Sequence, residues 1–280
     1  MILKQQYYYL VAGIPEIHLE DNTLSYSQAA FKEIIMEQCN QKDATLLNWL
    51  LYQSDIKNLI CHLYQKPIKE DGVFTEKELE SIINNESGAP QFITTFLEQF
   101  WEKKNAYSEE GWKNVLTTLY YNEALKVKNT FLNDWLQFEL KLKNLTIAIN
   151  GRKHNYDYRH ELMPFGEFTT QLVSSKRERD FGLKDEDILV ENLVKMLDHT
   201  NLLVKEKQLD DLRWKWLDEH TFFHYFTIET LLAYYIKLGI ISRWLKLDVA
   251  EGRELLEKML AKFRKNIGFS ETINLQNQQS

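Results

Sequence analysis

Apolar residues recur along this chain with the spacing of helices rather than of strands. Between positions 112 and 150, Phe131, Trp135, Phe138, Leu142, Leu145 and Ile149 follow one another at steps of 4, 3, 4, 3 and 4. Residues three and four apart share one face of a helix, so these positions form a continuous apolar stripe. An unbroken helix from about Gly111 to Asn150 would be roughly 60 Å long at a rise of about 1.5 Å per residue. Asn150-Gly151 is its natural stop.

The same reading extends to the rest of the chain. Ser25 or Ser27 caps a helix that runs through Phe31, Ile34 and Ile35. A second helix starts at about Ala44, carries Leu47, Leu51, Leu59 and Leu63 on a broad apolar face, and is stopped by Pro67. Asp71-Gly72 and Ser87-Gly88-Ala89-Pro90 read as turns. Thr75 and Glu78 are spaced as a capping box that opens a short helix. Residues 91–105 place Phe92, Phe96, Phe100 and Trp101 on one side of another helix, and 151–185 is a polar connection with little periodicity. Four more helices are predicted beyond it, marked by Ile188 to Leu197, Leu203 to Leu217, Phe226 to Leu247 and Leu255 to Phe263. The tail after Gly268 is polar. The run Tyr7 to Val11 fits a strand or a first helical turn equally well.

Composition narrows the class. The 280 residues include 10 Gly and 4 Pro, where average usage would give roughly 20 and 14. Loop-rich and all-β folds need more turn residues than this, and no glycine-rich phosphate loop is present. The fold class is therefore all-α. The 7 Trp, 14 Tyr and 15 Phe supply bulk for a large core. A net charge of −7 argues against nucleic-acid binding by bulk charge. The 2 cysteines, Cys39 and Cys61, form no disulfide framework and no CxxC, which fits a reducing cytoplasm. The most apolar stretch, Phe222 to Leu247, is interrupted by His224, Glu229, Lys237 and Arg243 and cannot be a spanning helix. The N-terminus lacks a signal-peptide core.

Candidate chemistry is sparse. Asp180-Phe181-Gly182 spells the kinase magnesium motif, but its glycine-rich loop, strand lysine and catalytic loop are missing. His220 and His224 are four apart on a predicted helix and would face one metal, as in a metal-dependent hydrolase. Phe222, Phe223 and Phe226 make that segment read instead as a packed face. No paired Glu-x-x-His motif occurs, and Cys39 has no recognisable triad partners. No catalytic residue, cofactor or metal ligand is expected. Arg152-Lys153-His154 and Arg159-His160, just past the long helix, read as a solvated basic turn; if the chain docks on a partner, Arg152, Lys153 and Arg159 would offer steering contacts.

Three segments look alike. Ser54-Asp55-Ile56-Lys57-Asn58-Leu59-Ile60 and Leu140-Lys141-Leu142-Lys143-Asn144-Leu145-Thr146 each sit late in a long helix, with Asn58 and Asn144 standing 86 residues apart. A weaker third copy, Lys237-Leu238-Gly239-Ile240-Ile241-Ser242-Arg243-Trp244, has Arg243 where the Asn stood, 99 residues on. Such repetition predicts three helical subdomains of one design: 1–90, 91–165 with the long helix, and 166–280 with the tail.

This pattern, x-Asp-x-x-Asn-Leu late in a helix and repeated along an all-helical chain, resembles the C (or d) subunit of V/A-type rotary ATPases. A nearer resemblance is to an uncharacterised bacterial family encoded among V/A-type ATPase genes. Its opening is similar to Tyr7-Tyr8-Tyr9-Leu10-Val11-Ala12-Gly13-Ile14-Pro15. Its later blocks are similar to Arg179-Asp180-Phe181-Gly182-Leu183, Leu212-Arg213-Trp214 and Tyr234 through Arg243-Trp244. The resemblance implies an elongated or funnel-shaped helical body that performs no chemistry. It implies a coupling role between the central-stalk subunits and the membrane rotor ring, in the cytoplasm at the inner face of the plasma membrane. Lys141 in place of Asp and Arg243 in place of Asn depart from the pattern. A helical scaffold or regulator without a rotor role is the alternative.

Overall fold

The computed structural model describes residues 6–68, 71–86, 88–175, 181–183, 188–197 and 201–247. Among these, every regular element is helical: eleven α-helices and one short 3-10 turn at Arg159–Glu161. In chain order the helices are α1 (Tyr8–Gly13), α2 (Gln28–Gln38), α3 (Gln41–Leu63), α4 (Glu76–Ile83), α5 (Gln91–Glu102) and α6 (Glu109–Ala124). They continue as α7 (Thr130–His154), α8 (Gly166–Ser174), α9 (Ile188–Leu197), α10 (Leu202–Thr221) and α11 (Ile228–Lys246). The helix predicted around Leu255 to Phe263 and the polar tail lie outside the described residues.

Local capping chemistry explains where the helices start. The Ser27 hydroxyl accepts the Ala30 N–H at 3.1 Å, and the Asn40 side chain accepts that of Asp43 at 2.9 Å. The predicted capping box forms: Thr75 Oγ1 accepts the Glu78 N–H at 3.4 Å while Glu78 accepts the Thr75 N–H at 2.8 Å. Each such contact satisfies a donor that the first helical turn leaves without a partner. The tyrosine run forms α1, a helix rather than a strand.

The single long helix expected from 111 to 150 is instead two helices. α6 closes at Leu125, and Asn129 caps a new start by accepting the Leu132 N–H at 2.9 Å. Asn133 Nδ2 then donates to the Leu125 carbonyl at 2.6 Å, which holds the turn closed. Neither Gly nor Pro marks this break; amide side chains competing for the backbone make it. All six stripe residues lie within α7 and are buried. Asn150-Gly151 is not the stop either. α7 runs on to His154, and Asn155, at a φ of 54°, is the left-handed cap. Gly151 serves a close approach: a Cβ there would sit 2.2 Å from the Tyr158 ring. α3 ends at Leu63, ahead of Pro67, and the polar connection 151–185 contains α8 and the 3-10 turn.

Nearly all of the buried apolar side chains form one hydrophobic cluster, whereas Trp101, expected on the apolar side of α5, is 52% exposed. α5 packs on α6, α6 on α3, α2 on α11, α9 on α7, and α10 on both α9 and α11. Residues from all three predicted stretches therefore enter the same core. Its centres are aromatic. Trp112 meets Phe96 and Phe100 edge-on at 5.9 and 5.2 Å, and Trp216 lies against Phe138 and Trp135, each at 5.3 Å. Offset and edge-to-face contacts of this kind add to the area burial of large rings.

Candidate interaction site

The residues of the repeated pattern are buried ties. Asp55 is 1% exposed, near the middle of α3, and its carboxylate accepts the N–H groups of Val73 at 2.8 Å and Phe74 at 3.2 Å. The turn comes so close that a Cβ on Gly72 would lie 2.1 Å from Asp55 Oδ1. Lys32 of α2 grips the same turn, donating to the Asp71 carboxylate at 2.9 Å and the Gly72 carbonyl at 2.8 Å. Burial pushes the Asp55 carboxyl up to about 6, against the pull of the two N–H groups and Lys32. Asn144 does the matching work in α7: it donates to the Met163 carbonyl at 2.8 Å and accepts the Met163 N–H at 2.9 Å. Asn58, Leu59 and Leu145 are buried beside these ties. Lys141, where the pattern has Asp, lies 5.7 Å from the Phe168 ring instead.

The third copy ties backward. Arg243 of α11 pairs with buried Asp210 of α10 and, at 3.2 Å, with Glu206. Trp244 Nε1 donates to the same Asp210 carboxylate at 2.7 Å. Asp210 also receives Arg213, whose guanidinium pairs with Glu139 of α7 at 2.8 Å. Burial alone would push the Arg213 guanidinium down; Glu139 and Asp210 outweigh it, and the net shift is upward. A chain of charges thus joins α7, α10 and α11, with each buried member paired.

Two of the three basic residues expected to face a partner are used within the fold. Arg152 stacks over the Phe181 ring at 3.6 Å and donates to the Ser175 carbonyl. Lys153 donates to the Leu197 carbonyl at 2.9 Å. Arg159 is exposed and paired with Asp157 at 2.7 Å.

The residues considered for catalysis do not converge. His220 ends up in the last turn of α10, stacked on Trp216 at 3.7 Å with Nδ1 2.8 Å from the Trp216 carbonyl oxygen. His224 lies beyond the helix end and faces buried Glu229 at 3.8 Å. Among the described residues, no three His, Cys, Asp or Glu side chains are grouped to hold a metal. Burial raises the Cys39 thiol to about 11, the opposite of an activated thiol. Asp180 lies outside the described residues, while Phe181 is fully buried.

An aromatic tip was not foreseen from the sequence. Phe222 and Phe223, expected on a packed face, are 65% and 80% exposed in the turn between α10 and α11, and Tyr225 beside them is also exposed. The start of the chain meets this turn. The Tyr7 N–H donates to the Phe226 carbonyl at 2.6 Å, and the Tyr8 and Phe226 rings lie 4.7 Å apart. Tyr8 and Tyr9 are exposed there too, Tyr9 almost completely. Five large rings thus stand in water on two adjoining segments, and clustered exposed apolar surface of this kind marks interaction sites. The residue types were visible in the sequence; the end of α10 at Thr221, which turns the two phenylalanines outward, was not.

The molecule so described is an all-helical protein whose buried polar groups serve as ties and whose exposed aromatic residues offer a contact surface. A family model described as a protein of unknown function (DUF2764) matches residues 4–267, and the chain belongs to that family. No curated protein and no solved structure matches it. Among the described residues, no helix is long and apolar enough to cross a membrane.

Proposed function

We propose that this chain is a non-catalytic coupling subunit of a V/A-type rotary ATPase, linking the central-stalk subunits to the membrane rotor ring at the cytoplasmic face of the membrane. The order of short motifs along the chain, similar to a family encoded with such ATPases, motivates the reading. The observation that carries it furthest is the aromatic tip, because a docking part needs an apolar contact surface. Each ring buried at a partner would contribute about 1.5–3 kcal/mol, and such rings are frequent binding hot spots. A coupling part must also resist deformation. The interlocked aromatic core and the buried ties of α3, α7 and α11 supply that stiffness. A funnel built from three related helical units belongs to this proposal.

The test is capture by purified stalk subunits and by the isolated rotor ring. The chain is expected to be retained by one of them, and Phe222→Ser combined with Phe223→Ser is expected to weaken retention at least tenfold without changing the melting temperature. Retention by neither, under conditions where the established coupling subunit of such an ATPase is retained, overturns the coupling role and leaves the scaffold or regulator reading.

A further inference from the structure

A cleft of about 590 Å³ opens between α3, α6, α7, α10 and α11. It falls within the usual size range of small-molecule sites. Its walls are largely apolar, with Ile56, Leu142 and Ile240 among them, and its charged groups are unbalanced. Lys57, Lys113, Lys143, Arg213 and Arg243 face Glu139, Glu206 and Asp210, although the chain as a whole has a net charge of −7. The carboxylates are already taken: Arg213 holds Glu139 and Asp210, and Arg243 holds Asp210 and Glu206. Lys113 pairs with Glu110 at 2.9 Å. Lys143 is different. It is half-buried, and among the described residues its ammonium has no hydrogen-bond or ion-pair partner.

A half-buried ammonium that faces other lysines and makes no direct ion pair among the described residues carries an electrostatic cost. Here burial and the neighbouring Lys113 hold the Lys143 amine down to about 8; Lys57 adds to the effect, while Glu110 and Glu139 oppose it. Three lysines on three different helices therefore turn toward one space and repel one another in it. Lysine ammonium groups are compact point charges suited to phosphate oxygens. An anion carrying more than one charge would relieve the repulsion and supply the missing partner.

We propose that this cleft is a binding site for a small phosphate-bearing anion, held by Lys143 together with Lys57 and Lys113. It is a site apart from the aromatic tip and does not depend on the coupling role. The anion is either a free polyphosphate or the phosphate chain of a nucleotide, and the two differ in whether the cleft's apolar wall, with Tyr121 and Trp135 in it, takes part.

The experiment is calorimetric titration of the full chain with inorganic pyrophosphate and, separately, with ATP without divalent metal. Binding with a Kd below about 1 mM is expected, weakening as salt rises. Equal affinities identify the phosphates as the recognised group, and tighter ATP binding adds the wall. Lys143→Met, which keeps the chain length of the side chain and removes its charge, is expected to fold normally and to bind at least tenfold more weakly. Lys195→Met, on the exposed face of α9, is expected to bind like the parent. Acetylation of Lys143 followed by mass spectrometry gives a second readout: modification at pH 8 is expected to be fast and to be suppressed by pyrophosphate. Absence of binding by both anions, unchanged affinity in Lys143→Met, or acetylation that pyrophosphate does not slow would each overturn the site. An acidic peptide that binds the cleft when neither anion does would overturn it in favour of a protein partner.

Discussion

Asp55 and Asn144 both reach forward from a long helix to hold a turn. Asp55 takes the N–H groups of Val73 and Phe74, 18 and 19 residues ahead. Asn144 takes Met163, 19 residues ahead, by both its N–H and its carbonyl. The chemistry of the two ties differs. An amide both donates and accepts, so Asn144 satisfies a whole peptide group without burying a charge. A carboxylate only accepts. It makes stronger bonds to the two N–H groups, but it must be buried charged, and the raised Asp55 carboxyl registers that penalty. Lys32 and Gly72 are the local adjustments that make the charged version tolerable, one by a nearby cation and one by the absence of a side chain. The repeat in the sequence pairs Asn58 with Asn144; the structure pairs the work of Asp55 with that of Asn144.

Of the two ties, the neutral one has the larger expected sensitivity to substitution. Asn144→Asp places a carboxylate against the Met163 carbonyl and loses the donor. A loss of about 4 kcal/mol is expected at pH 7, measured by chemical denaturation, with partial recovery below about pH 5 as the new carboxyl is protonated. Gly72→Ala attacks the charged tie by crowding. A Cβ 2.1 Å from Asp55 Oδ1 forces the turn away and is expected to cost about 2–3 kcal/mol. If that variant melts like the parent, the turn is not held where the structure has it.

Asp55→Asn sharpens the contrast through pH. The Asp55 carboxyl sits at about 6 in the folded chain, above its ordinary value of 3.8, so the folded state binds the proton more tightly than the unfolded state. Its contribution is fully present below about pH 4 and is lost as pH rises through 6. The stability of the parent relative to Asp55→Asn is therefore expected to increase by about 2 kcal/mol between pH 7 and pH 4. A constant difference across that range would show that Asp55 is not held high. The smallest effect is expected from Lys32→Met, about 1 kcal/mol at pH 7, because its ion pair reaches solvent at Asp71. Removing this cation also moves the Asp55 midpoint upward, which the same pH series reads.

Much of the fold was legible because it rests on local rules. The stripe from Phe131 to Ile149 is buried along its whole length, and the Thr75–Glu78 box opens α4. The break between α6 and α7 was not legible. It depends on Asn129 and Asn133 bonding to backbone groups that would serve equally well in a continuing helix, so apolar periodicity carries no trace of it. Gly151 misled for a related reason: the sequence shows a missing side chain but not whether the space belongs to a turn or to the ring of Tyr158. At the surface, Arg152 and Lys153 read as exposed cations because their partners, Ser175, Phe181 and Leu197, lie 23 to 44 residues away in the chain. The aromatic tip was hidden by the opposite error, since large rings in an apolar segment are usually core.

By itself the amino-acid order determined the helical class and the principal buried face of the longest helix. It also placed polar residues at Asp55, Asn144 and Arg243. Those properties follow from spacing and side-chain type within a few turns of chain. Which group each polar residue would tie, which lysines would share one cleft, and which phenylalanines would stand in water were decided only by tertiary packing. Hydrogen bonds and burial depend on what arrives from distant parts of the chain, and no short-range pattern encodes those arrivals.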